Sequence, residues 1–122
     1  MTIKDLYDRI GGNYDEVIGR LYADELVAKV LQTFLDDTMC PSLVTAWESG
    51  DEEATFGAAH SAKGMCMNLS FTRLGTLASE ITEALRPGNE AARANTDVNA
   101  LVKEFAEEYD KVYAGVKDFL GK

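Results

Sequence analysis

His60 is the only histidine among the 122 residues, and it stands in the run Ala59-His60-Ser61-Ala62-Lys63-Gly64. On a helix, successive side chains step by about 100°. His60, Lys63, Gly64 and Met67 then share one face, with Phe56 one turn behind. Ala58, Ala62, Met65 and Leu69 collect on the opposite face, with Ala59 and Cys66 at its edge. The imidazole therefore points away from the apolar stripe, beside a lysine and a residue that has no side chain.

That placement suits the transient holding of a phosphoryl group. Near pH 7 an imidazole is neutral for a useful fraction of the time, so a ring nitrogen can attack phosphorus directly. Lys63 offers a compact cation for the phosphate oxygens. Gly64 removes a side chain that would crowd an in-line approach. Phe56 and Met67 form an apolar rim against which a partner could dock. A lone histidine or lysine on a helix is most often only a surface residue, so Gly64 carries the weight. Inside a helix a glycine costs about 1 kcal/mol relative to alanine. Either close helix packing or open space beside His60 must justify it, and its position on the His60 face favours open space.

The rest of the chain must supply a scaffold. Its length is that of one domain with a real core, spanning residues 1–122. Twelve basic against twenty-one acidic side chains give a net charge of −9, which disfavours nucleic acid or an anionic membrane surface as partner. No window approaches the roughly 18 consecutive apolar residues of a membrane span. The opening residues Met1 to Asp8 carry acids where a signal peptide has an apolar run, so the chain is expected to be cytoplasmic. Cys40 and Cys66 fit that compartment as buried reduced thiols, although spacing alone does not decide whether they pair. Met65, Cys66 and Met67 leave a helix in directions about 100° apart and cannot converge on one ion, which argues for packing rather than a metal site.

Helical periodicity recurs throughout. Ile3, Leu6, Tyr7 and Ile10 mark a short first helix ended by Gly11-Gly12, and Asn13 can cap the next, which carries Val17, Ile18 and Leu21. Leu26, Val27, Val30, Leu31, Phe34 and Leu35 give a stripe over about 23–37. Pro41 can open a short helix bearing Leu43, Val44 and the core or lid aromatic Trp47. Asp51 caps the histidine helix, about 52–69, whose first turn holds Glu52 and Glu53 as partners of the helix dipole. A helix over about 73–85 follows, with Leu74, Leu77, Ala78, Ile81 and Leu85 inward. Residues 88–96 form a loop or a single turn, and the last helix, about 97–120, is the longest. Four helices of about 13 residues or more with short connections predict an all-α fold, an antiparallel four-helix bundle with short extra N-terminal helices.

The motif Ala59-His60-Ser61-Ala62-Lys63-Gly64, with Asn68-Leu69 and Thr72-Arg73-Leu74 after it, resembles the signature of histidine-containing phosphotransfer (HPt) domains of multistep phosphorelays. Gly11-Gly12, Phe34-Leu35-Asp36 and Gly50-Asp51 extend the resemblance over most of the chain, in the same order. It implies the four-helix bundle, with His60 as the phosphorylated residue, Lys63 as the phosphate-facing cation and Gly64 as the residue that leaves access. Three positions depart from the family's habit. Ala62 stands where leucine is frequent, and Ser70 where glycine is. Met67 replaces a small residue, where its long side chain can narrow the gap beside the histidine.

The resemblance implies a two-component signalling phosphoprotein that accepts a phosphoryl group on His60 from one receiver-domain aspartate and passes it to another. The sequence has no Gly-rich phosphate loop and no receiver-type carboxylate cluster. It is therefore expected to be a phosphocarrier without kinase activity of its own and with no cofactor, the Mg²⁺ belonging to the partner receiver. Receiver (response-regulator) domains and a hybrid histidine kinase are the implied partners, and the chain reads as a free-standing, monomeric shuttle. Two other readings compete. One is a helical docking module that binds receivers or other signalling proteins without phosphate exchange. The other is a thiol- or metal-responsive bundle using Cys40 and Cys66.

Overall fold

The computed structural model describes all 122 residues, and they form eight helices with no strand. These are α1 (Ile3–Ile10), α2 (Tyr14–Leu21), α3 (Asp24–Asp36), α4 (Met39–Glu48), α5 (Glu52–Asn68), α6 (Thr72–Leu85), α7 (Glu90–Ala94) and α8 (Val98–Leu120). Their ends follow cap chemistry. Thr2 and Asp5 make a capping box on α1, and Gly11 closes that helix in the left-handed conformation. Asn13, Asp51 and Asp97 each accept a backbone N–H at the start of α2, α5 and α8. The short 88–96 segment contains the one-turn α7.

The all-α bundle stands as expected, with a change in how its fourth corner is built. Helix length points to α3 as a core member, yet the helices packed against α5 are α4 and α6, while α8 contacts α3, α4 and α6. The corner is thus shared end to end: α4 contributes Cys40 and Leu43, and α3 contributes Val27, Leu31 and Phe34. The expected α3 stripe was too wide. Leu26 is 46% exposed, because it falls about 100° from the line through Val27, Leu31 and Phe34.

Small residues set the position of α5. Its buried face is Thr55, Ala58, Ala59, Ala62 and Cys66, short enough for α4 and α6 to approach closely on either side. A Cβ built on Gly75 of α6 would lie 3.4 Å from the Cβ of Cys66. Cys40 and Cys66 are both buried and free. The Cys40 thiol is pushed far up by its hydrogen bond with Cys66 and by burial. Both cysteines therefore serve as packed thiols joining α4 to α5, and Cys40 is kept in the protonated form that is a poor nucleophile and a poor metal ligand.

The N-terminal helices cover the end of the bundle where α5 turns into α6, and they do so with specific bonds. The Tyr7 hydroxyl donates to the Leu69 carbonyl oxygen at 2.7 Å, and the Asn13 amide donates to the Ser70 carbonyl at 3.0 Å. Arg20 Nη1 donates to the carbonyls of Met67 at 3.0 Å and Asn68 at 2.7 Å and to Ser70 Oγ at 3.1 Å. The last carbonyls of a helix have no intrahelical N–H partner, so a guanidinium placed there supplies the missing donors. Gly12 is required by the same contact, since a Cβ on it would lie 2.7 Å from the Tyr7 ring and 3.0 Å from the Ser70 carbonyl oxygen.

Candidate functional site

His60 lies in the middle of α5 and is exposed, as is Gly64 one turn later; Lys63 and Phe56 are half-buried. The structure therefore brings all the chemistry-bearing residues of the motif onto one solvent-facing surface. The Phe56 and His60 rings are 6.2 Å apart between centroids, tilted by 40°. A Cβ built on Gly64 meets nothing within 4 Å. Close packing of helices does not explain this glycine, whereas Gly75 fills that role on the buried side.

A second glycine was missed at the level of sequence. Gly57, one turn before His60, is exposed and also has nothing within 4 Å of a built Cβ. Its spacing of three residues from His60, and that of four from His60 to Gly64, put both on the same edge of the face. His60 thus has bare backbone along one side and Phe56 and Lys63 along the other. Two interior glycines, each weakening the helix by about 1 kcal/mol, were the signal available.

The anticipated narrowing by Met67 is not what the structure shows. Met67 is 58% exposed, and no atom of its side chain comes within 4 Å of the Gly64 Cβ position. With Lys63 it instead borders a cleft of about 490 Å³ between α5 and α6, whose far wall includes Thr72, Thr76 and Glu80. Neither His60 nor Gly64 lines that cleft. Phe56 is not a free rim either, because the Arg86 guanidinium lies 5.5 Å from its ring centroid.

Arg86 and its partner Glu83, both at the C-terminal end of α6, were not anticipated as part of this surface. Arg86 Nη2 bonds Glu83 Oε2 at 2.7 Å. The Glu83 carboxyl is held below the usual carboxylate range, chiefly by that hydrogen bond, with the charges of Arg86, Lys63 and His60 adding to it. The charge pattern around the imidazole therefore comes from two helices. Sequence spacing along α5 alone had no means of including α6.

At the far end of α5, Ser70 occupies the left-handed region at φ 57°, which accounts for glycine being frequent at this place in the family it resembles. Here the serine hydroxyl offsets part of the strain by donating to Glu16 Oε1 at 2.8 Å while accepting from Arg20. Glu52, read as a dipole partner, also pairs with Arg93 at 3.4 Å. Trp47 is the lid aromatic: it donates to Asn99 Oδ1 at 2.8 Å and lies under the Arg93 guanidinium.

No helix is long and apolar enough to cross a membrane. No curated protein and no solved structure matches the chain. The family model of the Hpt domain matches residues 26–115, from within α3 to within α8. Members of that family are phosphocarrier modules of two-component phosphorelays that engage receiver domains. With well over half of its length matched, and the exposed histidine inside the matched region, this chain belongs to the Hpt domain family.

Proposed function

We propose that this protein is a phosphorelay intermediate that accepts a phosphoryl group on His60 from the aspartate of one receiver domain and gives it to the aspartate of another. The observation that carries this reading is the open space beside an exposed His60, made by Gly57 and Gly64, which have no packing role. In the forward step a ring nitrogen of His60 attacks the acyl phosphate in line. The N–P bond forms as the P–O bond to the aspartate breaks, and the carboxylate leaves with its electron pair. Lys63 supports the charge on the phosphoryl oxygens throughout. Glycine on the approach side lets the receiver bring its phosphoaspartate to bonding distance without a side chain between.

Phe56 and Met67 are the docking residues on the other side of His60, and Met67 is the freer of the two. Mg²⁺ and the kinase activity belong to the partners, a receiver domain and the hybrid histidine kinase that feeds it. The chain acts in the cytoplasm as a monomer. A pure docking module would have no use for glycines that weaken α5 on the histidine face.

The test is incubation with a phosphorylated cognate receiver. The protein should take up an acid-labile, base-stable label that is absent from His60→Gln. Equal labelling of His60→Gln rejects the proposal. Receiver binding that persists in His60→Ala, with no transfer to the wild type, replaces it with docking alone.

A further inference from the structure

Three successive carbonyls at the end of the histidine helix are bonded by residues that precede the matched span of 26–115. Arg20 Nη1 donates to the Asn68 carbonyl at 2.7 Å, the Tyr7 hydroxyl to that of Leu69 at 2.7 Å, and the Asn13 amide to that of Ser70 at 3.0 Å. No backbone N–H reaches the Asn68 oxygen, so Arg20 is its one partner in the chain. Arg20 also reaches the Met67 carbonyl at 3.0 Å and Ser70 Oγ at 3.1 Å, and its Nη2 is held by Glu16 at 3.4 Å. The histidine helix has particular need of such help. No basic residue stands in its last turn to answer the helix dipole, and Gly57 and Gly64 lower its own helix propensity. Arg20 supplies from α2 the cation and the donors that α5 lacks. It also lines the same cleft as Met67, so the turn it grips is the one that presents Met67.

We propose that Arg20 is a positioning residue for phosphoryl transfer, which holds the last turn of α5 from α2 and so fixes Met67 for the docking receiver. This deepens the proposed function and rests on it. Arg20 touches no reacting atom. His60 lies about two turns before Met67, and it keeps its place and its reactivity without Arg20. The turn beyond Gly64 does not, because with its last carbonyls bare it frays and Met67 samples many positions. Each docking receiver must then order that edge before transfer can begin, and the entropy lost weakens the encounter. The effect therefore falls on receiver recognition and spares the chemistry of the imidazole. The Arg20 side chain is 39% exposed, so its replacement empties no core space.

The experiment measures transfer from a phosphorylated receiver to wild type, Arg20→Gln and Arg20→Lys over a range of receiver concentrations, beside labelling of each by phosphoramidate. That reagent needs no docking: its N–P bond breaks with release of ammonia as the N–P bond to the imidazole forms. Arg20→Gln should raise KM for the receiver about three- to tenfold with kcat within about twofold of wild type, and Arg20→Lys should recover most of the loss. Phosphoramidate should label all three proteins at one rate. Hydrogen exchange in Arg20→Gln should quicken at the amides of Met67 to Leu69 and stay unchanged at Val112 and Val116 of α8. If KM is unchanged, or if exchange quickens equally in α8, the positioning role of Arg20 is overturned while phosphorylation stands. If wild type takes no label from the receiver, the proposed function falls and this inference falls with it.

Discussion

The hydroxyl of Tyr7 donates a 2.7 Å hydrogen bond to the carbonyl oxygen of Leu69, and both residues are fully buried. Leu69 is the C-cap of α5, where the helix has no further N–H to offer. The bond ties α1, which lies outside the matched residues 26–115, to the end of the helix that carries His60. Tyr7→Phe keeps the ring and leaves a buried carbonyl without a partner. It should destabilise the fold by about 1–3 kcal/mol, seen as a lower urea midpoint with an unchanged slope. An unchanged midpoint would show that water or a shifted backbone replaces the bond.

Gly64 and Gly12 should respond to alanine in opposite directions. Around Gly64 there is open space, so Gly64→Ala should stabilise the protein by up to about 1 kcal/mol through helix propensity. The same methyl group narrows the approach to His60 and should slow phosphoryl transfer several-fold. Gly12→Ala forces a methyl group against the Tyr7 ring and the Ser70 carbonyl, and should destabilise by about 1–3 kcal/mol. Thermal melts paired with transfer rates read both effects. Faster or equal transfer by a stabilised Gly64→Ala would remove the access role of that glycine.

Ser70 offers a test of strain against hydrogen bonding. Its φ of 57° is unfavourable for a residue with a Cβ by about 1–2 kcal/mol. Ser70→Gly relieves that strain but loses the bonds to Glu16 and Arg20, so its stability should stay within about 1 kcal/mol of wild type. Ser70→Ala keeps the strain and loses the bonds, and should be the less stable of the two. The reverse order in chemical denaturation would mean that the left-handed conformation costs a residue with a Cβ nothing at this position.

One buried phenol, Tyr7, and one half-buried phenol, Tyr109, predict how stability changes in alkali. Burial pushes the Tyr7 hydroxyl above its usual range and raises that of Tyr109 to about 12. In the unfolded chain a tyrosine titrates near 10. Between these values the folded state binds more protons than the unfolded state. Stability is thus fully present below about pH 10 and falls as pH rises through 12. Melting temperatures measured from pH 8 to pH 12 should show this decline, and the Tyr7→Phe, Tyr109→Phe double variant should flatten it. An equally steep decline in the double variant would assign it to other groups.

The helical periodicities, caps and breaks of this chain were local properties, and they were legible residue by residue. Asp51 placed the start of α5, the face rule put His60 and Gly64 toward solvent, and Gly11 ended α1. Such features depend on neighbours within a turn or two, which is the range over which backbone hydrogen bonds and side-chain direction act. The chemistry of the histidine face followed from that alone.

What joins separate helices was settled by packing. No spacing along α5 could bring in Arg86 and Glu83, which meet the histidine face at Phe56 because the small buried face of α5 lets α6 lie close beside it. Nor could it show that Met67 leaves the gap at Gly64 open, or that α1 and α2 supply the hydrogen bonds for the end of α5. The sequence by itself determined which residue could carry a phosphoryl group and on which surface it would stand. The tertiary structure decided which charges surround that residue and what holds its helix in place, because those contacts depend on the distance between helices that meet only in the folded chain.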